Sequence, residues 1–196
     1  MHYEPIGNRL RQGDVYRDLS IVIDLREDDD EGTLSAVYSV LPYAVMLSQD
    51  CDLERDHLTR QAVGDTHDKH LPALLVCPAF PAGQVRDGKH LSEEKLTMQR
   101  FNSPQWHLLK TNANERYHYV AAGEDFQIPE LVLDFKRYQT VRRDALVKSF
   151  SEGSGLATLV CPFRERLSQR FANYLSRIGL PEPPFKHTGP TEIPAT

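Results

Sequence analysis

Apolar positions along this chain come in short blocks, each closed by a polar or proline stop. In YAVMLSQDCDLERD, positions 43–47 are apolar throughout and give way abruptly to Ser48, Gln49, Asp50, Cys51 and Asp52. That is the pattern of a strand buried on both faces and ending at solvent. LPALLVCPAF is a second such block, stopped by Pro78 and Pro81. Ahead of both, RQGDVYRDLSIVIDL opens with a Gly-Asp turn and enters a β-branched strand at 21–25. LSAVYSVLPYAVMLS holds a strand or strand pair, with Pro42 marking the edge or start of the central strand. WHLLKTNANERYHYVAA reads as a hairpin, 106–110 and 117–121 joined by a turn at 112–114. PELVLDFKRYQTVRRDAL is a further strand that bends near Tyr138.

The 3.6-residue period is clear only near the end. Phe163, Leu167, Phe171, Tyr174, Leu175 and Ile178 form one stripe behind Pro162, with Gly179 as C-terminal cap and Pro181 as stop. SEEKLTMQRF predicts a second, short helix capped by Ser92. Positions 50–70 are charged without a sustained period, which predicts a long loop with room for one short helix. The predicted organisation is a curled β domain over 1–160, a helix over 161–180 packed on it or on a partner, and a proline-rich disordered tail over 181–196. The fold class expected is mainly β, of α+β type.

Composition narrows the setting. With 196 residues, 40% hydrophobic and 26% charged, the chain can bury the core of one ordinary domain. No apolar run approaches the ~20 residues of a membrane span, and the N-terminal stretch lacks a secretory h-region. Cys51, Cys77 and Cys161 are too few and too scattered for a disulfide framework. The expected location is therefore the cytoplasm, with reduced thiols. A formal charge of −5 argues against coating nucleic acid by charge alone. Local clusters remain: Arg137, Arg142 and Arg143; Arg164, Arg166 and Arg170; and opposite in sign, EDDDE at 27–31.

Several of these blocks carry a resemblance. RQGDVYRDL, LPYAVMLSQD, LPALLVCPAF and ELVLDFKRYQTVRRDAL resemble, in order and spacing, strands of the MazF/PemK toxin family, over residues 9–81 and 129–147. The resemblance implies an SH3-like small β-barrel, here with a C-terminal amphipathic helix. It further implies a dimeric, metal-independent endoribonuclease acting on single-stranded RNA in a bacterial toxin–antitoxin or phage-defence system. The family's chemistry uses an arginine just before the Pro-apolar strand and a Thr or Ser just after the Cys-Pro strand. This chain has Leu41 and Ala79-Phe80 there. The alternative is a catalytically inactive barrel that holds a protein partner such as an antitoxin.

Candidate chemistry sits in two places. Ser48, Gln49, Asp50, Cys51 and Asp52, together with Arg137, Arg142 and Arg143, are candidate RNA or ligand contacts. In NERYHYV, strand alternation puts Arg116 and His118 on one face and Tyr117 and Tyr119 on the other. Arginine beside histidine can bind phosphate and move a proton, so Arg116 and His118 are the candidate catalytic pair. No cofactor is called for. Cys51, His57, His67 and His70 are zinc-type donors, but their spacing matches no recurrent zinc signature.

Overall fold

The computed structural model describes residues 2–177, apart from 28–32, 63 and 65. Ile178, Gly179, the tail and most of the acidic run therefore lie outside the described residues. In chain order the elements are β1 (Tyr3–Pro5), β2 (Asp14–Glu27), β3 (Leu34–Met46), α1 (Asp50–Gln61), β4 (Ala73–Pro81), α2 (Ala82–Arg86), α3 (Ser103–Lys110) and β5 (Tyr117–Val120). They continue with β6 (Leu131–Asp134), β7 (Gln139–Arg142), α4 (Arg143–Ser151), β8 (Gly155–Leu159) and α5 (Phe163–Leu175). The fold is α+β, dominated by one antiparallel sheet in the order β1-β8-β2-β3-β4-β6-β5, with β7 also on β4.

Apolar β4 is the hub. One edge pairs with β3 from Tyr43 to Met46; the other serves β7 along Ala73–Val76 and β6 along Ala79–Pro81. Pro42 lies inside β3, one residue before its pairing with β4 begins, where a missing N–H breaks no bond to that strand.

The expected closed barrel is not formed. Strands β1 and β5 end the path and do not pair with each other. Side chains bring the ends together instead: the Tyr3 hydroxyl donates to Ala121 O at 2.9 Å, just past β5. Gly123 makes room for that ring, since a Cβ there would lie 2.6 Å from a Tyr3 carbon. At the other seam Gly13, with φ of 84°, donates to Met46 O and accepts from Leu159 N. Asp14, fully buried beside it, accepts from Thr158 Oγ1 at 2.6 Å, Arg11 N at 2.7 Å and Tyr16 Oη at 3.3 Å.

Three apolar clusters cover the sheet. One, with Phe135, Leu133 and Val45, meets Leu167 and Phe171 of α5; one, with Tyr16, Met46 and Leu74, meets Leu53 of α1 and Leu146 of α4; the third packs Phe80, Leu91, Leu109 and Tyr117. Among the described residues no helix is long and apolar enough to cross a membrane.

Three local expectations need correction. Positions 50–70, expected as a long loop with room for one short helix, hold the 12-residue α1 over more than half their length, fixed by charge rather than by an apolar stripe. Buried Asp56 accepts from Arg60 Nε at 2.7 Å, Leu71 N at 2.8 Å and the guanidinium of Arg143. The first arm of the expected hairpin at 106–121 is α3, started by an Asn102–Gln105 capping box with proline in the first turn. SEEKLTMQRF forms turns, with Lys95 at a positive φ of 60° that a helix cannot continue through.

Asp56→Asn should lower stability by about 2–3 kcal/mol, because one neutral amide then faces two arginines and an amide N–H. Urea unfolding with an unshifted midpoint would remove this account of α1.

Candidate nucleic-acid interface

Helix α5 has two flanks of different character. Phe163, Leu167, Phe171 and Tyr174 turn toward the sheet, where Phe135 lies 5.5 Å from the Phe171 ring and 5.7 Å from Tyr174. Arg166, Arg170, Asn173 and Arg177 recur at spacings of four, three and four. Those intervals bring successive residues onto one side of a helix.

Arg170 fixes this flank to the strand system. Its guanidinium donates to Asn112 O, to Asn114 O at 2.5 Å, to Tyr117 O at 3.0 Å and to His118 Nδ1 at 3.0 Å. Its pKa is lowered, first by burial and then by the charge of Arg166. The ion pairs of this helix use Arg164 with Asp50 and Glu165, and Arg177 just past its end with Glu115. Arg166 and Arg170 take no carboxylate partner among the described residues. Two neighbouring like charges with no counter-ion are unfavourable unless an anion arrives.

Around this flank cations and rings alternate. Arg177 lies 4.0 Å from the Tyr174 ring centroid and Arg116 lies 4.7 Å from that of Tyr117. The Phe101 and Tyr117 rings meet edge to face at 5.6 Å. A hollow of about 270 Å³ is lined by Glu115, Arg170, Asn173, Tyr174 and Arg177. A second, of about 500 Å³, includes Phe101, Gln105, Arg116 and Tyr117, and shares Glu115 and Arg177 with the first.

Of the expected catalytic pair, Arg116 stands at this surface and His118 behind it. Arg116 donates through Nε and Nη2 to fully buried Asp134 at 2.7 and 2.5 Å. His118 is 4% exposed, and burial first, then the charges of Arg170 and Arg166, pull its pKa down to about 3. A neutral imidazole already accepting from Arg170 and closed off from solvent is poorly placed to exchange a proton with a substrate.

Other expected contacts are scattered. Ser48 Oγ accepts from Leu75 N at 2.7 Å. Gln49 is the N-cap of α1 and makes no side-chain capping bond. Asp50 accepts from Arg9 through both oxygens at 3.3 Å and lies 3.7 Å from Arg164, so it clamps the N-terminal segment, α1 and α5 together. Burial alone would raise its pKa, but the Arg9 hydrogen bonds and charge, Gln12 N and Arg164 bring it below the usual range. Cys51 is exposed in the first helical turn, beside Asp52. Ser48, Gln49 and Asp52 line a hollow with Phe171 and Leu175 on the other flank of α5. The expected arginine cluster is three separate attachments: Arg137 to Glu94, exposed Arg142 to Asp144 at 3.9 Å, and Arg143 to Asp56.

The zinc-type donors do not converge. His57 bonds Gln61 at 3.0 Å, and His67 and His70 meet edge-on across a turn at 4.9 Å. No group of three or more metal-binding side chains exists among the described residues.

Arg177 and Tyr174 lie outside the candidates that the sequence pattern offers, and Arg166 and Arg170 stand out in it only as a charge cluster. Their helical spacing was the available signal. A scan against protein-family models and a search of curated proteins return no match for this chain.

The His118 pKa gives a signed test. Its folded value, about 3, lies below the ordinary 6.5. The unfolded chain therefore takes up a proton that the folded chain refuses, and stability drains away as pH falls through that window. His118→Gln, which keeps an acceptor for Arg170, should gain on the parent in urea midpoint as pH falls from neutral to about 4. A pH-independent difference would mean His118 is not held neutral by its surroundings.

Proposed function

We propose that this chain is a single-stranded RNA-binding protein of MazF/PemK-like type, gripping its ligand along the polar flank of α5. The observation that carries the reading is Arg166 and Arg170, adjacent and without carboxylate partners, continuing into the Arg177–Tyr174 and Arg116–Tyr117 pairs. Guanidinium groups neutralise phosphates, and an accessible ring face stacks on unpaired bases; half-buried Tyr174 can offer one, whereas buried Tyr117 only seats Arg116. The resemblance of four strand motifs to that toxin family supports single-stranded RNA as substrate class, and a toxin–antitoxin or phage-defence setting. Metal-free cleavage would need a reachable base near the 2′-hydroxyl. With His118 sealed, the reading is of binding rather than cleavage by this pair. A second reading, a protein-interaction module, is favoured by the exposed apolar residues Val22, Ile23, Leu25, Leu34, Tyr38 and Val40 in the outer part of the β2–β3 pair.

Fluorescence anisotropy with an unstructured RNA oligonucleotide tests the first reading. Arg166→Ala and Arg177→Ala should each weaken binding and reduce the log K against log salt slope by roughly 0.7, one phosphate contact each. Arg142→Ala, on an exposed arginine away from α5, should leave both unchanged. RNA binding that ignores both α5 substitutions, or no binding at all, removes the reading.

A further inference from the structure

The outer part of the β2–β3 pair is built inside out. Register places Val22 opposite Tyr38, Ser20 opposite Val40, Leu25 opposite Ala36 and Glu27 opposite Leu34. Directly opposed residues share a face. Val22, Leu25, Leu34, Tyr38 and Val40 therefore stand together on one side of the ribbon, and each is 54–69% exposed. The other side begins with Leu19, Ile21 and Leu41, which are buried in the core, and continues outward to Asp24, Arg26, Ser35 and Ser39.

This sorting depends on a bulge. The register shifts between Val22 and Asp24, leaving Ile23 as the extra residue. Without it Asp24 would follow Val22 onto the apolar side and Leu25 would leave that side. The bulge thus keeps Asp24 and Arg26 off this face, where the only charge among the described residues is Glu27 at the outer end, opposite Leu34.

The two edges of the ribbon also differ. Beyond its pairing with β8 at Asp14–Tyr16, β2 carries Arg17, Asp18, Asp24, Arg26 and Glu27, the charges with which natural edge strands are guarded. From Leu34 to Met46, β3 has no charge at all, and its pairing with β4 begins only at Tyr43. Its outer backbone groups have no strand partner on that edge among the described residues.

We infer that a second copy of this chain docks on that edge, antiparallel and centred on Val37. The sequence LSAVYSV is self-complementary about that residue. Leu34 then meets Val40 of the second copy, Ser35 meets Ser39, and Ala36 meets Tyr38. Each opposition matches class with class, and the bulkiest side chain falls on the smallest. Because a two-fold axis repeats every contact, Tyr38 of each copy overlies Ala36 of the other. The product is a four-stranded ribbon in which both charge-free edges are paired and the guarded β2 edges face outward. This contact does not depend on the RNA reading, because none of the residues on the α5 flank takes part.

Light scattering after size exclusion, with cysteine cross-linking, tests the inference in the full chain. The parent should run as a dimer at micromolar concentration, and Tyr38→Lys, on a 64% exposed side chain, should run as a monomer with an unchanged circular dichroism spectrum. In a background with exposed Cys51 and Cys161 replaced by serine, Val37→Cys should cross-link to itself under mild oxidation. Residues across an antiparallel pair lie ~4.5–5.5 Å apart at Cα, within disulfide reach. Asp24→Cys, on the guarded edge, should not cross-link. A monomeric parent overturns the inference, as does a dimer that survives Tyr38→Lys and leaves Val37→Cys reduced.

Discussion

The guanidinium of Arg170 joins the fold to the candidate site. Three carbonyls of the segment leading into β5, at Asn112, Asn114 and Tyr117, and one ring nitrogen of His118 all accept from it. A planar group with five donors in a fixed fork is suited to collecting divergent acceptors in this way. With those acceptors engaged, α5 is held against the last strand of the sheet, and Arg166 and Arg177 are carried to either side of a fixed point. Burial first, and then the charge of this guanidinium, keep His118 neutral. What gives the surface its charge also withdraws the imidazole from proton transfer.

Three buried aspartates show why polar residues hold this sheet together rather than working on substrates. Asp134 takes Arg116 in a two-point contact and also accepts from Lys136 N. At Asp56, burial alone would raise the pKa, but Leu71 N, Arg60 and Arg143 together bring it below the ordinary range. Asp14 has neutral donors at its oxygens and the charge of Arg11 only as the smallest of its stabilising influences. Burial therefore wins and pushes its pKa up to about 6. The difference is the partner: desolvation of a carboxylate is offset by a bound cation more fully than by hydroxyls and amides. Each aspartate ties segments remote in sequence and has its oxygens engaged by donors of this chain.

The strands were legible where burial on both faces produced unbroken apolar runs, as in β4 and the inner half of β3, and α5 was legible from its stripe. The helices α1 and α3 were not. The first has few buried residues and is held by the Asp56 ion pairs, whose partners at Leu71 and Arg143 are distant in sequence. The second has so short an apolar pattern that WHLLK satisfies either period, and its capping box at Asn102 and Gln105 was the signal that went unread. Closure of the sheet was illegible for a different reason. Apolar strands show that a curled sheet has an interior, but not whether its last strands pair or only touch, as Tyr3 touches Ala121. In the site, alternation separated His118 from Tyr117 and Tyr119, but Arg116 precedes β5 and turns to the Tyr117 side, over that ring and onto Asp134, which stands opposite Tyr117. Composition could not reveal that both Arg116 and His118 were already engaged.

A folded chain is most informative where it inverts the usual placement of polar and apolar groups. Here the inversions are of two kinds with different standing. The buried acids are satisfied internally, so they explain cohesion and leave nothing over for a ligand. Arg166 and the ribbon face from Val22 to Val40 are unsatisfied in the isolated chain, one in charge and the other in apolar area and unpaired strand edge. Two-stranded ribbons are marginal in water even with a buried face, so a charge-free outer edge is a cost that the single chain does not recover. Unmet capacity of these two kinds calls for different partners, an anion along the helix and a strand along the ribbon. The residues that supply them share no contact, so each surface can be occupied without the other.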